Sequence, residues 1–338
     1  MKQIKVEEAV GMVLAHDLTK IVPGYKGAAF KKGYIIKEAD IAELKNMGKN
    51  HLWVVELNEE QLHENDAARR IATAASSPKL TVSEALEGKA NIKAAFDGVL
   101  EVNIKALSEI NRIGKMALVT LHNNTVVKKD QIVAAAKIIP LTVELDDVHK
   151  AEQICLDNSP IIEIKPFFSL KTGIVVTGTE VYSGRIQDLF GEVLKNKINY
   201  YGGEFQDLRY APDDRDFIER QILELITAGA EVILVSGGMA VDADDVTPQA
   251  IQNAATEVVT YGVPILPGSM CMIAYYNETA IIGVPGCAMF NKTTILDLVF
   301  PRILAKEHIT RDEITMMGHG GICLQCETCR FPDCSFGK

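Results

Sequence analysis

The chain has 338 residues, 47% hydrophobic and 24% charged, an ordinary globular composition with room for two or three domains. Its net charge of -10 argues against nucleic acid or an anionic membrane surface as the main partner, and no stretch approaches the ~20 apolar residues needed to cross a bilayer. The N-terminus carries Glu7 and Glu8 and no apolar signal-peptide segment, so a cytoplasmic location is the expectation.

Residues 1–60 read as a small α+β unit. A short helix is expected over 6–10 and an extended turn over 14–18. Lys31-Lys32-Gly33 reads as a turn between two extended pieces. A helix over 41–47 stops at Gly48, a favourable residue just past a helix end, and 52–57 reads as a strand. Residues 61–165 read as a β-rich accessory domain with some helix. Helices are expected over 64–76 and 82–86. Leu100, Val102 and Ile104 alternate with Glu101, Asn103 and Lys105, the pattern of a half-buried strand. Strands at 118–121 and 125–127 flank Asn123-Asn124, a hairpin turn by composition. The β pattern continues through 132–136 and 138–143.

From 166 to 316 strands and helices alternate. Apolar runs at 174–176, 232–235 and 280–282 read as buried parallel strands, and 205–208 as a short one. Helices are expected over 188–201, from 217 to Gly229, from Thr247-Pro248 to 255, and over 289–300. This order predicts an α/β fold, a three-layer αβα domain with a mostly parallel sheet, preceded by the smaller α+β and β-rich domains.

Three loops follow apolar strands: Thr177-Gly178-Thr179-Glu180, Ser236-Gly237-Gly238-Met239 and Gly283-Val284-Pro285-Gly286. Ligands of open α/β sheets bind at the carboxyl ends of the strands, and glycine lets a backbone approach a phosphate closely. None of the three matches a dinucleotide or Walker fingerprint. Five acidic residues fall in loops at the same end: Asp188, Asp213, Asp214, Asp244 and Asp245. Each can be a helix cap, worth about 1 kcal/mol. Together they suit Mg²⁺ held by carboxylates and ligand phosphate. Cys271 and Cys287 read as inert core residues.

These residues carry a family resemblance. Thr177-Gly178-Thr179-Glu180-Val181 with Gly184-Arg185-Ile186-Gln187-Asp188 resembles the opening of the molybdopterin-binding domain. Ser236-Gly237-Gly238-Met239 followed by Asp244-Asp245-Val246-Thr247-Pro248 is similar to its "GG … D-x-T-P" signature, and Pro267-Gly268 and Val284-Pro285-Gly286 resemble its later turns. The domain is shared by molybdopterin adenylyltransferase and molybdopterin molybdenumtransferase, and the resemblance covers about 168–306. Residues 6–17 also resemble the N-terminus of the molybdenumtransferase. The adenylyltransferase's Gly-Gly-Thr-Gly is here Gly-Gly-Met-Ala. The resemblance implies a domain that holds molybdopterin or adenylyl-molybdopterin. It implies carboxylates at Asp188, Asp213 or Asp214, and Asp245 acting through Mg²⁺, molybdate as co-substrate, and a homo-oligomer, dimer or trimer. Thr177, Gly178, Thr179, Glu180, Ser236, Gly237, Gly238, Asp244, Pro285 and Gly286 are the binding candidates. The alternative is a non-catalytic molybdopterin carrier or sensor.

Residues 317–338 form a cysteine-rich tail, Cys323-x2-Cys326-x2-Cys329-x4-Cys334. Four thiolates suit tetrahedral Zn²⁺ or an iron–sulfur cluster. Because the tail follows the last helix, its loss is expected to leave the stability of the α/β domain nearly unchanged.

Overall fold

The computed structural model describes residues 2–22, 25–55, 58–240, 242 and 245–338. The chain divides into two compact units. One comprises the residues up to Asn123 with Val127–Ile164, the other Asn124–Val126 with Lys165–Lys338. Among the described residues no helix is long and apolar enough to cross a membrane.

The first unit contains two cores. A three-stranded antiparallel sheet in the order Lys2–Lys5, His51–Val55, Val13–Leu14 buries Leu14, Leu52 and Val54 with Val6, Ile36 and Leu44. The expected helix at 6–10 is a single 3-10 turn, Val6–Glu8. Residues 56 and 57 of the expected strand lie outside the described residues. The second core lies under an antiparallel sheet of Met116–Thr120, Ile132–Ile138, Lys89–Ala94 and Leu80–Val82. Helix Glu64–Ala75 presents Ala67, Ala68, Ile71, Ala72 and Ala75 to it.

Three expectations here are corrected. The segment 82–86 is no helix: Leu80–Val82 pairs with Lys89–Ala94, because so short an apolar run has no periodicity to separate helix from strand. The strand expected over 100–104 ends at Val102. Asn103 is the N-cap of helix Ile104–Asn111, its Oδ1 accepting from Ala106 N–H (3.1 Å), so its polarity marks a cap and not a solvated strand face. Met116–Thr120 forms no hairpin across Asn123-Asn124. It pairs with Ile132–Ile138, and Val126–Val127 belongs to another sheet.

The second unit is built on a six-stranded sheet. Its strands are β1 (Lys171–Thr177), β2 (Glu204–Ala211), β3 (Val232–Ser236), β4 (Glu257–Tyr261), β5 (Met272–Tyr276) and β6 (Thr279–Val284), in the spatial order β2-β1-β3-β6-β5-β4. The first four in that order are parallel, and β5 and β4 extend the sheet antiparallel. The pairing places Val176 opposite Ser236 and Ser236 opposite Val284. The carboxyl ends of the parallel strands therefore reach one edge together.

Alternation along the strands fills both faces. Ile174, Val176, Leu234 and Ile282 pack with α1 (Phe190–Tyr201) and α4 (Ile295–Leu304) through Leu194, Ile198 and Phe300. Val175, Ile233, Val235 and Ile281 pack with α2 (Arg215–Thr227) and α3 (Thr247–Ala254) through Ile218, Ile222 and Ile251. The helix expected over 289–300 begins later. Thr294 and Asp297 form a reciprocal capping box at the start of α4, and Gly286–Met289 is a separate 3-10 turn. The sequence expectations did not include β4 and β5; β5 turns back into β6 at Asn277, whose φ is 51°.

The tail departs from expectation most. Phe336 is 2% exposed and belongs to the core under α4. Gly337 sits so close to Leu298 that a Cβ would lie 2.4 Å from its Cδ2. Gly337 N–H donates to Gly320 O (3.0 Å), which closes the cysteine segment into a loop. The tail therefore contributes to the domain's core. Phe336→Ala should lower the unfolding free energy of this unit by about 3–5 kcal/mol, the range for truncating a buried aromatic. Denaturant unfolding measures this, and a loss below about 0.5 kcal/mol would show that the tail is only draped over the surface.

Candidate functional site

Loops from three strands meet at the carboxyl edge of the sheet around a cavity of about 540 Å³. Gly237 and Gly238 after β3, Pro267 and Gly268 before β5, and Pro285 and Gly286 after β6 all line it. The narrowest point lies behind it. A Cβ on Gly237, whose φ is 96°, would stand 2.2 Å from the Thr177 carbonyl oxygen, and one on Gly238 (φ 52°) 2.9 Å from Thr247 Oγ1. Thr177 at the end of β1 and Thr247 at the start of α3 are both buried, with their hydroxyls 3.0 Å apart. The glycine pair thus runs over a fixed floor that admits no side chain. A Gly237→Val substitution would displace backbone.

Ser236 is fully buried, and its Oγ has no hydrogen-bond partner among the described residues. An unpaired buried hydroxyl normally costs about 1–3 kcal/mol. It stands directly before the glycine pair. The loop beyond is held by Tyr261, whose hydroxyl reaches the carbonyls of Met239 (3.0 Å) and Ala240 (3.1 Å). Burial, and then the nearby charge of Asp245, raise the Tyr261 phenol above its ordinary value. Met239 turns inward and is 3% exposed. A Cβ on Gly283 of β6 would lie 2.5 Å from Met239 Cε, so the methionine fills space that a glycine strand position leaves for it.

The carboxylates separate into two groups. Asp188 caps α1, with Oδ1 accepting from Phe190 N–H (2.7 Å) and Oδ2 from the Tyr210 hydroxyl (3.1 Å). Asp214 caps α2 through Phe217 N–H (2.8 Å). Asp213 and Thr179 form a reciprocal pair: Thr179 N–H donates to Asp213 Oδ2 (2.8 Å) and Asp213 N–H to Thr179 Oγ1 (3.2 Å). Neither Asp188, Asp213 nor Asp214 lines the cavity. Asp245 does, together with Asp242, and the Asp242 N–H donates to Asp245 Oδ2 (3.0 Å). Asp244 lies outside the described residues. Thr177, Gly178, Thr179 and Glu180 form the neighbouring β1 loop, with Thr179 and Glu180 exposed and the Gly178 N–H donating to Ala211 O (3.0 Å).

Sequence reasoning missed Asp242, Ser269 and Phe190 as lining residues, and it placed Cys287 in the core although it lines this cavity. Asp242 could have been found as the third acid of the run Asp242-Ala243-Asp244-Asp245. Cys271 is buried as expected, and burial pushes its thiol up to about 12.

No lysine or arginine is among the described residues lining this cavity. An anionic ligand there must be met by backbone N–H groups or by a bound cation. Two hard carboxylates facing one cavity form a donor set that fits Mg²⁺, which takes one or two carboxylates with ligand phosphate and water.

The tail cysteines do not converge as expected. Among the described residues no group of three or more His, Cys, Asp or Glu side chains is disposed to hold a metal ion. Cys326 and Cys329 are exposed and Cys323 and Cys334 half-buried. Cys329 Sγ lies 3.2 Å from Thr293 Oγ1, and this contact draws its thiol below the ordinary value.

Comparison with known proteins bears on the same region. Residues 173–305 match the family model described as "Probable molybdopterin binding domain", and residues 3–56 match a domain of unknown function, DUF8806. A CinA-like protein of Mycolicibacterium gilvum is 40% identical over 85 residues, covering 25% of this chain and 20% of that protein. The chain thus matches about a fifth of the length of such curated relatives. Among solved structures, a tungsten cofactor synthesizing protein from Pyrococcus furiosus is similar at 18% identity. It has a TM-score of 0.34 and covers 41% of this chain and 98% of that one. A CinA protein of unknown function from Thermoplasma acidophilum is similar at 14% identity and a TM-score of 0.35, covering 40% and 98%. The family-model match runs from Gly173 in β1 to Ala305 just after α4, so it spans every loop that lines the cavity.

Proposed function

We propose that this chain binds molybdopterin in the cavity at the carboxyl edge of the sheet and takes part in molybdenum cofactor biosynthesis. The observation that carries the reading is the Gly237-Gly238 cradle, which lies inside the region matching the molybdopterin-binding model. Backbone there is open to a phosphate from above and closed to any side chain from below. The unpaired Ser236 hydroxyl directly precedes it. On this reading the ligand is nucleotide-activated and the reaction is molybdate insertion with cleavage of adenylyl-molybdopterin. Asp245 and Asp242 would hold Mg²⁺, which would neutralise the charge that develops on the phosphate. The chain's own part is to position the phosphates against Gly237 and Gly238. Assembly as a dimer or trimer belongs to the same proposal.

One observation favours a second reading, a non-catalytic molybdopterin carrier or sensor. Asp188 and Asp214 are engaged as helix caps and Asp213 in a loop pairing, which leaves two described carboxylates on the cavity. Nucleotide release that depends on both pterin and molybdate separates the two readings.

Binding is tested at Gly286. This glycine lines the cavity, and an added Cβ meets no heavy atom within 4 Å. Gly286→Leu should therefore leave the melting temperature unchanged while its side chain intrudes on the ligand. Molybdopterin affinity, titrated without oxygen, should fall at least tenfold. Wild-type affinity in the folded variant would move the ligand elsewhere.

Catalysis is tested at Asp245. Asp245→Asn keeps the shape and can still accept from Asp242 N–H, so stability should change by less than about 1 kcal/mol. Turnover of adenylyl-molybdopterin should fall roughly a hundredfold or more, the usual consequence of removing a charged group from transition-state stabilisation. A sharp drop in melting temperature with turnover retained would make Asp245 a loop-structuring residue only.

A further inference from the structure

We propose that the loop from Cys323 to Cys334 is an iron–sulfur cluster site, ligated by Cys323, Cys326, Cys329 and Cys334 and built against a wall of the cavity described above. All four cysteines line one cavity of about 220 Å³, room for a body larger than a single ion. Among the described residues no three of them are yet disposed to hold a metal ion, so ligation has to draw the loop in around the cluster. The two successive x2 spacings are those of bacterial cluster-binding runs, while the last gap is four residues in place of three and Pro332 precedes Cys334.

The surroundings suit such a body. Phe331 and Phe336 form an apolar wall, and Lys292, Arg330 and Glu327 also line the space. A cluster carrying four thiolates is anionic, and the two cations, against one carboxylate, partly offset that charge. The loop is anchored at both ends. Phe336 is fixed in the domain core, Gly337 N–H closes on Gly320 O (3.0 Å), and Cys323 N–H donates to Leu266 O (2.8 Å). Loading needs no net oxidation when the cluster arrives preformed on a small thiol. Each cysteine S–H gives up its proton as its sulfur bonds iron, and the displaced carrier thiolate leaves protonated.

The two cavities share structure. Leu266 lines the larger one, and its backbone pairs with the segment that enters the cysteine loop. Pro285, Gly286 and Cys287 line the larger cavity, while Phe290 to Thr293, next in the chain, line the smaller. A bound cluster would therefore brace the wall of the sheet-edge cavity.

The test uses the full chain, freed of metal by chelation and incubated without oxygen with a four-iron, four-sulfide cluster carried by mercaptoethanol. After gel filtration about four irons and four acid-labile sulfides per chain should remain, with broad visible absorbance. Peptide mapping should show Cys323, Cys326, Cys329 and Cys334 protected from alkylation in the loaded protein. A Cys326→Ser/Cys329→Ser double variant should retain less than a tenth of the iron, while Cys155→Ala, altered in the other unit, should retain all of it. Failure to retain iron would overturn the assignment, as would four tail thiols that still alkylate in the loaded wild type, or equal retention by the double variant. So would uptake of one zinc per chain that protects all four thiols and excludes the cluster. The alkylation map is read on the native chain, so it stands even if the double variant misfolds. No readout involves pterin, so this assignment and the proposed function can fail separately.

Discussion

The close passage of Gly237 over the Thr177 carbonyl is the constraint on which the site depends. It follows from register. Pairing β1, β3 and β6 in parallel brings Val176, Ser236 and Val284 into one row, so the chain leaving β3 must cross the end of β1 at backbone contact distance. Only a residue without a Cβ can do so, and a positive φ reinforces the requirement. The Thr177–Thr247 hydroxyl contact then fixes the floor, because both side chains are buried and each answers the other's polarity. Gly237 and Gly238 therefore line the cavity with backbone alone, and no lysine or arginine is among the described residues that line it.

Electrostatics sort the acidic loops. A carboxylate at a helix start is stabilised by free N–H groups and the helix dipole. Asp188 and Asp214 have taken that role, each accepting from one or more backbone donors. Asp245 receives an N–H from Asp242 within its own loop and remains on the cavity. Similar positions in sequence thus have different chemical availability, decided by which backbone N–H groups lie within about 3 Å.

The tail shows how a segment of low apolar content can still be integral. Phe336 is buried in the core and Phe331 packs against it, and glycines at the tail's neck allow the backbone to close tightly. A Cβ on Gly320 would stand 2.1 Å from the Lys338 carbonyl oxygen, and one on Gly321 2.5 Å from that of Pro264. The loop between them can then project polar and thiol groups without paying for its own core. Its contact with Leu266 joins it to the loop that carries Pro267 and Gly268 to the sheet-edge cavity.

Much of the α/β unit was legible in the sequence, for a physical reason. Buried parallel strands are near-continuous apolar runs, and their helices carry one apolar face, so 174–176, 232–235 and 280–282 stand out by local pattern alone. The glycine loops were legible because strand ends at one edge are where such loops gather. Other features depended on partners distant in the chain. Asn103 could be a strand residue or a cap until Ala106 N–H was placed beside it. Met116–Thr120 could pair across the nearest turn or with Ile132–Ile138, and burial of the sheet face chose the latter. Asp188 and Asp245 look alike in sequence, and Phe336 looks like part of a polar tail. Which carboxylate faces the cavity, and which aromatic enters the core, was decided by tertiary packing, because both depend on distances between segments that no local spacing encodes.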